Sequence, residues 1–111
     1  MESILTSIKK LLGIEEDCEA FDPDIIMHIN STLMILTQLG VGPKEGFRIQ
    51  DAEATWTDFI SDKTNMEAVK SYIHHKVGLM FDPPTNSAVI AARERTIAEL
   101  EERLCLAAEF T

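Results

Sequence analysis

The sequence is short of positive charge. Ten Lys and Arg stand against nineteen Asp and Glu, a formal net charge of −9 over 111 residues. A sequence-independent grip on nucleic acid needs clustered cations that neutralise phosphates, and Lys9-Lys10 and Arg93/Arg95 are too sparse for that. The same shortage excludes a polybasic hold on an anionic membrane. Long apolar runs are missing too. The most apolar stretch, Ile25 to Leu39, is broken by His28, Asn30, Ser31, Thr32, Thr37 and Gln38, and nothing approaches the ~20 apolar residues of a membrane-spanning helix. The opening residues carry Glu2 and Lys9-Lys10 inside an amphipathic pattern, unlike a signal peptide, so the expectation is a protein that is intracellular at birth. Cysteine is scarce: Cys18 and Cys105 are far apart and form no CxxC, which reads as two free thiols. Aromatic residues make up 6% of the chain, with Trp56 the single tryptophan.

Motifs of catalysis and cofactor binding are also missing. His74 and His75 are neighbours, so on a helix they point about 100° apart and cannot share one metal ion. A metal-binding helix would place them four apart, as in HExxH, which does not occur. No GxSxG or SxxK is present, and the glycines of "GVGPKEG" make neither a GxGxxG nor a phosphate loop. Glu101-Glu102 reads as a solvated helix side and not as an acid/base pair working across a cleft. No enzyme, metal or cofactor is expected. A helix-turn-helix DNA reader would need a recognition helix rich in Arg, Lys, Asn or Gln. The last helix sets Arg93, Arg95 and Arg103 against Glu94, Glu99, Glu101, Glu102 and Glu109.

What is present is helical periodicity. Apolar residues are 45% of the chain, enough for a core, and the length suits one domain over residues 1–111. Ile4, Leu5, Ile8, Leu11 and Leu12 fall on one side of a first helix that Gly13 stops. Asp22 is placed to cap a second helix, with Pro23 and Asp24 in its first turn. Its stripe is Ile25, Ile29, Leu33 and Leu36, widened by Ile26, Met34 and Leu39, which predicts a central helix covered on several sides. Gly40, Gly42 and Pro43 end it. Phe47 and Ile49 alternate with Arg48 and Gln50, a short half-buried strand or extended segment near 47–50. A short helix is expected from Asp51, with Trp56, Phe59 and Ile60 inward, then a polar turn at Ser61–Thr64. Asn65 is the expected cap of a fourth helix whose stripe is Met66, Val69, Ile73, Val77 and Met80, flanked by Tyr72 and Leu79. Gly78 within it suggests close approach of a neighbouring backbone.

That helix must stop, because Pro83 disfavours a helical Asp82 and Pro84 does the same to Pro83. Thr85 or Asn86 can cap a last helix from about Ser87 to Ala108, about 33 Å long. Phe81, Asp82, Pro83, Pro84 and Thr85 thus form a stiff elbow, with less freedom to lose on folding than a glycine loop. The last helix is lined by Val89, Ile90, Ile97, Leu100, Leu104 and Ala107, and Glu99 can pair with Arg103. The expected fold is all-α, a small bundle of about five helices. Its core candidates are Ile25, Ile29, Leu33, Leu36, Trp56, Phe59, Val69, Ile73, Val77, Ile97, Leu100 and Leu104. The exposed side of the last helix, with Arg93, Thr96, Glu99 and Arg103, is the expected subunit contact.

The stretches "QLGVGPKEGFRIQDAEATWTDFI" (Gln38 to Ile60), "KSYIHHKVGLMFDPPTNSAVI" (Lys70 to Ile90), "ELEERL" (Glu99 to Leu104) and "IKKLLGIEED" near the start carry a family likeness. The chain resembles the head–tail connector proteins of long-tailed bacteriophages and prophages, also called head-completion or adaptor proteins. The most specific block is Tyr72 to Thr85; His74-His75 and Glu102 depart from the apolar or aromatic residues expected there. The resemblance implies a non-enzymatic virion protein, a helical subunit of a dodecamer-like ring. That ring would dock on the portal protein, extend the DNA channel towards a tail or stopper protein, and let DNA pass without sequence-specific binding. It would sit at the head–tail junction, reached from the host bacterial cytoplasm, with no membrane involved. Read from the residues alone, the alternative is a small helical DNA-binding or regulatory protein of a phage or prophage.

Overall fold

The computed structural model describes residues 2–61 and 63–109, the side chains of 63 and 64 excepted. Among these residues the chain is all-α, with five helices: α1 (Ile4–Leu11), α2 (Asp22–Gln38), α3 (Trp56–Phe59), α4 (Lys63–Phe81) and α5 (Ser87–Glu109). None of the described helices is long and apolar enough to cross a membrane. α4 is the middle element: α2 and α5 both pack on it, and α1 lies against α2 and α4. The molecule measures 38 × 35 × 20 Å. The core runs through this slab, from Ile25, Ile29, Leu33 and Leu36 of α2 to Val69, Ile73 and Val77 of α4, with Trp56 and Phe59 of α3. Each such side chain stabilises the fold by about 1.5–3 kcal/mol when fully buried. Ile97 and Leu104 are buried on α5, whereas Leu100 is half-buried. Ile4, Leu5, Ile8, Val41, Ile49 and Tyr72 complete the core.

Helix ends follow from local chemistry. The Ser3 hydroxyl accepts the Thr6 N–H at 3.2 Å and starts α1. α1 ends with the Ile14 N–H on the Lys9 carbonyl (2.8 Å) and the Gly13 N–H on that of Lys10 (3.1 Å). α2 closes the same way, Val41 onto Leu36 (2.9 Å) and Gly40 onto Thr37 (3.0 Å). Gly40 takes φ +91°, which a side chain would resist.

The start of α2 departs from expectation. Phe21 holds the cap position and Asp22 is already helical. The Asp22 carboxylate instead pairs with the Lys9 ammonium at 2.9 Å. Lys9 is only 2% exposed and donates to the carbonyls of Glu16 (3.0 Å) and Cys18 (2.7 Å). Those three oxygens replace its water, which is the condition for burying a charge, and they tie the acidic loop to both helices. Leu11, expected inward, is 51% exposed. α2 is covered on fewer sides than its composition suggests, since Met27 and Met34 are each 57% exposed. α3 begins at Trp56 and not at Asp51, with the Thr55 N–H held by the Asp58 carboxylate at 2.9 Å, the return arm of a capping box. α4 begins at Lys63, so Asn65 is not its cap; the polar turn expected at Ser61–Thr64 lies partly outside the described residues.

Residues 47–50 form no strand, yet Ile49 is buried. Asn30 on α2 explains this. Its amide donates to the Ile49 carbonyl (3.0 Å) and accepts the Ile49 N–H (2.8 Å), a two-bond substitute for sheet pairing. Beside it the Phe47 and Phe59 rings meet at 5.5 Å. The Asn30→Ala variant leaves both backbone groups without partners and is expected to cost about 1–3 kcal/mol. The urea-unfolding midpoint measures it, with the exposed Ser31→Ala as the neutral control; equal midpoints would show that the clamp contributes nothing.

Candidate functional site

The site is built where α4 stops. The Asp82 N–H still bonds to the Gly78 carbonyl at 2.9 Å, the last turn of the helix, and the chain then leaves helical geometry as the two prolines require. The Phe81 ring is fixed edge-on against Phe21 at 5.5 Å, which ties this end of α4 to the entrance of α2. Asp82, Pro83 and Thr85 are exposed and Pro84 is half-buried. α5 is then restarted by Asn86, whose side-chain oxygen accepts the N–H groups of Ala88 (2.8 Å) and Val89 (3.3 Å). Of the two candidate caps, Asn86 does the work.

α5 is held to α4 along one side. Ile97 and Leu104 are its buried residues. The Tyr72 hydroxyl of α4 donates to Glu101 at 2.6 Å. Burial first, and then the bond to Glu101, push the Tyr72 pKa far above its usual value, so it stays a donor at any ordinary pH. Gly78 makes room for a neighbour, as its position suggested, but the neighbour is a side chain. The Arg93 guanidinium lies 3.3 Å from where a Cβ would stand, with Leu12 beyond at 3.8 Å.

That placement divides the residues expected at the subunit contact. Arg93 is half-buried towards α4 and does not share the outer face. The Thr96 hydroxyl is turned back onto the Ala92 carbonyl at 3.1 Å. Glu99 and Arg103 are the exposed members, joined by two N–H bonds to one carboxylate oxygen at 3.1 and 2.8 Å, a surface pair worth a few tenths of a kcal/mol. Around them α5 leaves Ala88, Val89, Ala91, Ala92, Ala98 and Leu106 exposed. A long helix is thus anchored on one side and open on the other. Sequence periodicity missed a second open surface, on α2, where Met27 and Met34 point outward one heptad apart. Met34 reads as part of the apolar stripe, and only the folded structure turns it and Met27 outward.

His74 and His75 sit at the junction of α1, α4 and α5, their rings 5.1 Å apart. Burial holds the His74 pKa below its usual value, helped by His75 and Arg93 and opposed by the Leu11 backbone. Burial and then Arg93 do the same to His75, whose Nδ1 is buried with no hydrogen-bond partner among the described residues. The arrangement accepts a proton reluctantly, and nothing in it suggests proton transfer to a substrate.

A family model described as a phage connector protein matches residues 4–111. Among curated proteins none matches the chain, and among solved structures none matches either.

The histidines make stability depend on pH. Both folded pKa values lie below the ordinary 6.5, so the unfolded chain binds protons more readily than the folded one. Their contribution is therefore intact above the ordinary value and is lost as pH falls through it towards the depressed folded values. The melting temperature should fall on acidification from about pH 7 to about pH 5, and His74→Gln with His75→Gln should flatten that slope. Parallel slopes for the two proteins would show that the pair does not titrate on unfolding.

Proposed function

Because the chain belongs to the phage connector protein family, we propose that this structural protein is the repeating subunit of a ring that docks on the portal, extends the DNA channel and joins the filled head to the tail. The observation that carries the reading is α5: a helix of 23 residues, set at a fixed pose by the Pro83–Pro84 elbow, with one side anchored on α4 and the other left for a neighbour. A closed ring of identical subunits needs two different faces per copy, and a helix held out from a thin body supplies one of them. The acidic balance supports the rest. Nineteen acids against ten bases make a wall along which DNA passes without sticking. The portal, the tail-side partner and the location at the head–tail junction belong to this proposal.

Charge also governs assembly. Each added copy brings a further −9, and exposed charges repel over about 10 Å at 0.1 M salt and about 30 Å at 0.01 M. The purified chain is expected to run as a monomer at low ionic strength and to form rings when salt is raised or portal is supplied. Size-exclusion chromatography with light scattering at both salt levels measures this; a stable ring at low salt would contradict the charge argument. Particles made without the protein should show DNA-filled heads that leak or fail to join tails by electron microscopy. Normal tailed particles would overturn the connector role, and salt-dependent binding of the chain to duplex DNA would replace it with a DNA-binding one.

A further inference from the structure

A ring contact has two sides, and α5 accounts for one. The outer side of α2 offers the other. Ile26, Met27 and Met34, with Phe47 from the following loop, line an open groove of about 780 Å³. Its charged members are Glu45 and Arg48, and neither makes an ion pair among the described residues. Apolar surface of this kind on a chain with 26% charged residues marks an interaction site, and methionines adapt to the shape of what they receive.

We infer that this groove seats the first two turns of α5 from a neighbouring copy. The inference rests on the ring-forming reading and names its second face. Ser87 to Ala92 carries no charge, and apart from half-buried Ile90 it is exposed. Its alanines let another helix approach closely. At 1.5 Å per residue the segment spans about 9 Å, against about 10 Å between Met27 and Met34 along α2. The rims complement each other. Glu94 and Arg95 lie just beyond the segment, after Arg93, and make no ion pair among the described residues, and they present opposite charges to Arg48 and Glu45. Two strongly acidic copies can touch only where charge is low or matched, and these surfaces meet that condition. The two do not satisfy each other within one chain, because α4 packs between α2 and α5 and the two helices approach at their tails, Gly40 against Ala108. The contact therefore joins two different faces of two copies, and a ring forms where each copy uses its groove towards one neighbour and its α5 towards the other.

Single-cysteine chains test it, in a background of Cys18→Ser and Cys105→Ser, since both native thiols are unpaired. One chain carries Met34→Cys and the other Ala91→Cys, both at exposed positions. Oxidised under ring-forming conditions, the mixture should give a covalent dimer that neither chain gives alone. Rings that form without the mixed crosslink overturn this contact and leave the ring reading standing. A Met34→Cys chain that crosslinks to itself overturns it in favour of a two-fold interface. Absence of any ring, even with portal, sinks both. Charge reversal provides a second readout that does not touch the apolar surface. Arg48→Glu or Glu94→Arg alone should raise the concentration for half-assembly about tenfold or more, and the two together should restore it. Singles and double that assemble like the parent, with folded circular dichroism spectra, would also overturn the contact.

Discussion

Residues 82–84 cannot continue a helix, and that prohibition places everything after α4. A pyrrolidine ring at position 83 pushes Asp82 out of helical dihedrals, and the ring at 84 does the same to Pro83. The break is stiff because proline has one φ to choose, and it is anchored because Phe81 is wedged against Phe21 on one side while Asn86 starts a new helix on the other. A flexible link of the same length would let α5 sample many poses, since packing on α4 fixes it mainly through Ile97, Leu104 and the Tyr72–Glu101 bond. With the elbow, those few contacts suffice. The exposed side of α5 is therefore held in one orientation, which lowers the ordering cost of the association proposed above.

In the proposed ring, electrostatics opposes association, and the distribution of charge decides how far. Repulsion between acidic copies is long-ranged and weakens with salt, whereas apolar burial and matched charge act at contact. The body of the protein is consistent with that division. Lys9, a buried cation, is consumed inside, holding two carbonyls of the acidic loop and the Asp22 carboxylate, so it is not available to soften the surface. Arg93 is drawn towards α4, beside two histidines that stay neutral near it. What remains outside is mostly acidic, apart from the α2 groove, where Glu45 and Arg48 carry opposite charges, and the uncharged start of α5.

The long helices were legible in the sequence because amphipathic periodicity over many residues averages out local ambiguity. α2, α4 and α5 all fall close to where their stripes place them, and Gly13, Gly40 and the proline pair mark the ends of α1, α2 and α4 through backbone chemistry that acts locally. The resemblance of the block around Tyr72 to Thr85 to connector proteins pointed to the family that the match over residues 4–111 establishes. What was illegible depended on partners distant in sequence. Asp22 looks like a cap until Lys9 claims its carboxylate, and a lysine beside another lysine gives no sign that one of them will be buried. Asn30 looks like an interruption in an apolar helix, although it is what lets Ile49 be buried without a sheet. Arg93 has the spacing of an interface residue, but Gly78 leaves a space that its guanidinium fills. The onset of α3 was misplaced because Asp51 is as good a starter as Thr55 in isolation, and only the pinning of residues 54–56 to residues 2–4 at the N-terminus selects the later one.

These long-range locks share a location. The Lys9 ties, the Asn30 clamp and the backbone bonds at Ser3 and Thr55 all lie among α1, α2, α3 and the loops between them, and together they make that part of the molecule a fixed block around α4. α5 is held differently: among the described residues its ties to α4 include a hydrophobic seam at Ile97 and Leu104, the Tyr72–Glu101 bond and Arg93 against Gly78. A domain that needed α5 only for its own stability would bury more of it, because each exposed alanine or valine on that helix forgoes apolar burial that a longer seam would recover. The uneven division, a locked block and a lightly held rod, is the arrangement expected when a helix must keep one side in place while a second molecule completes the other.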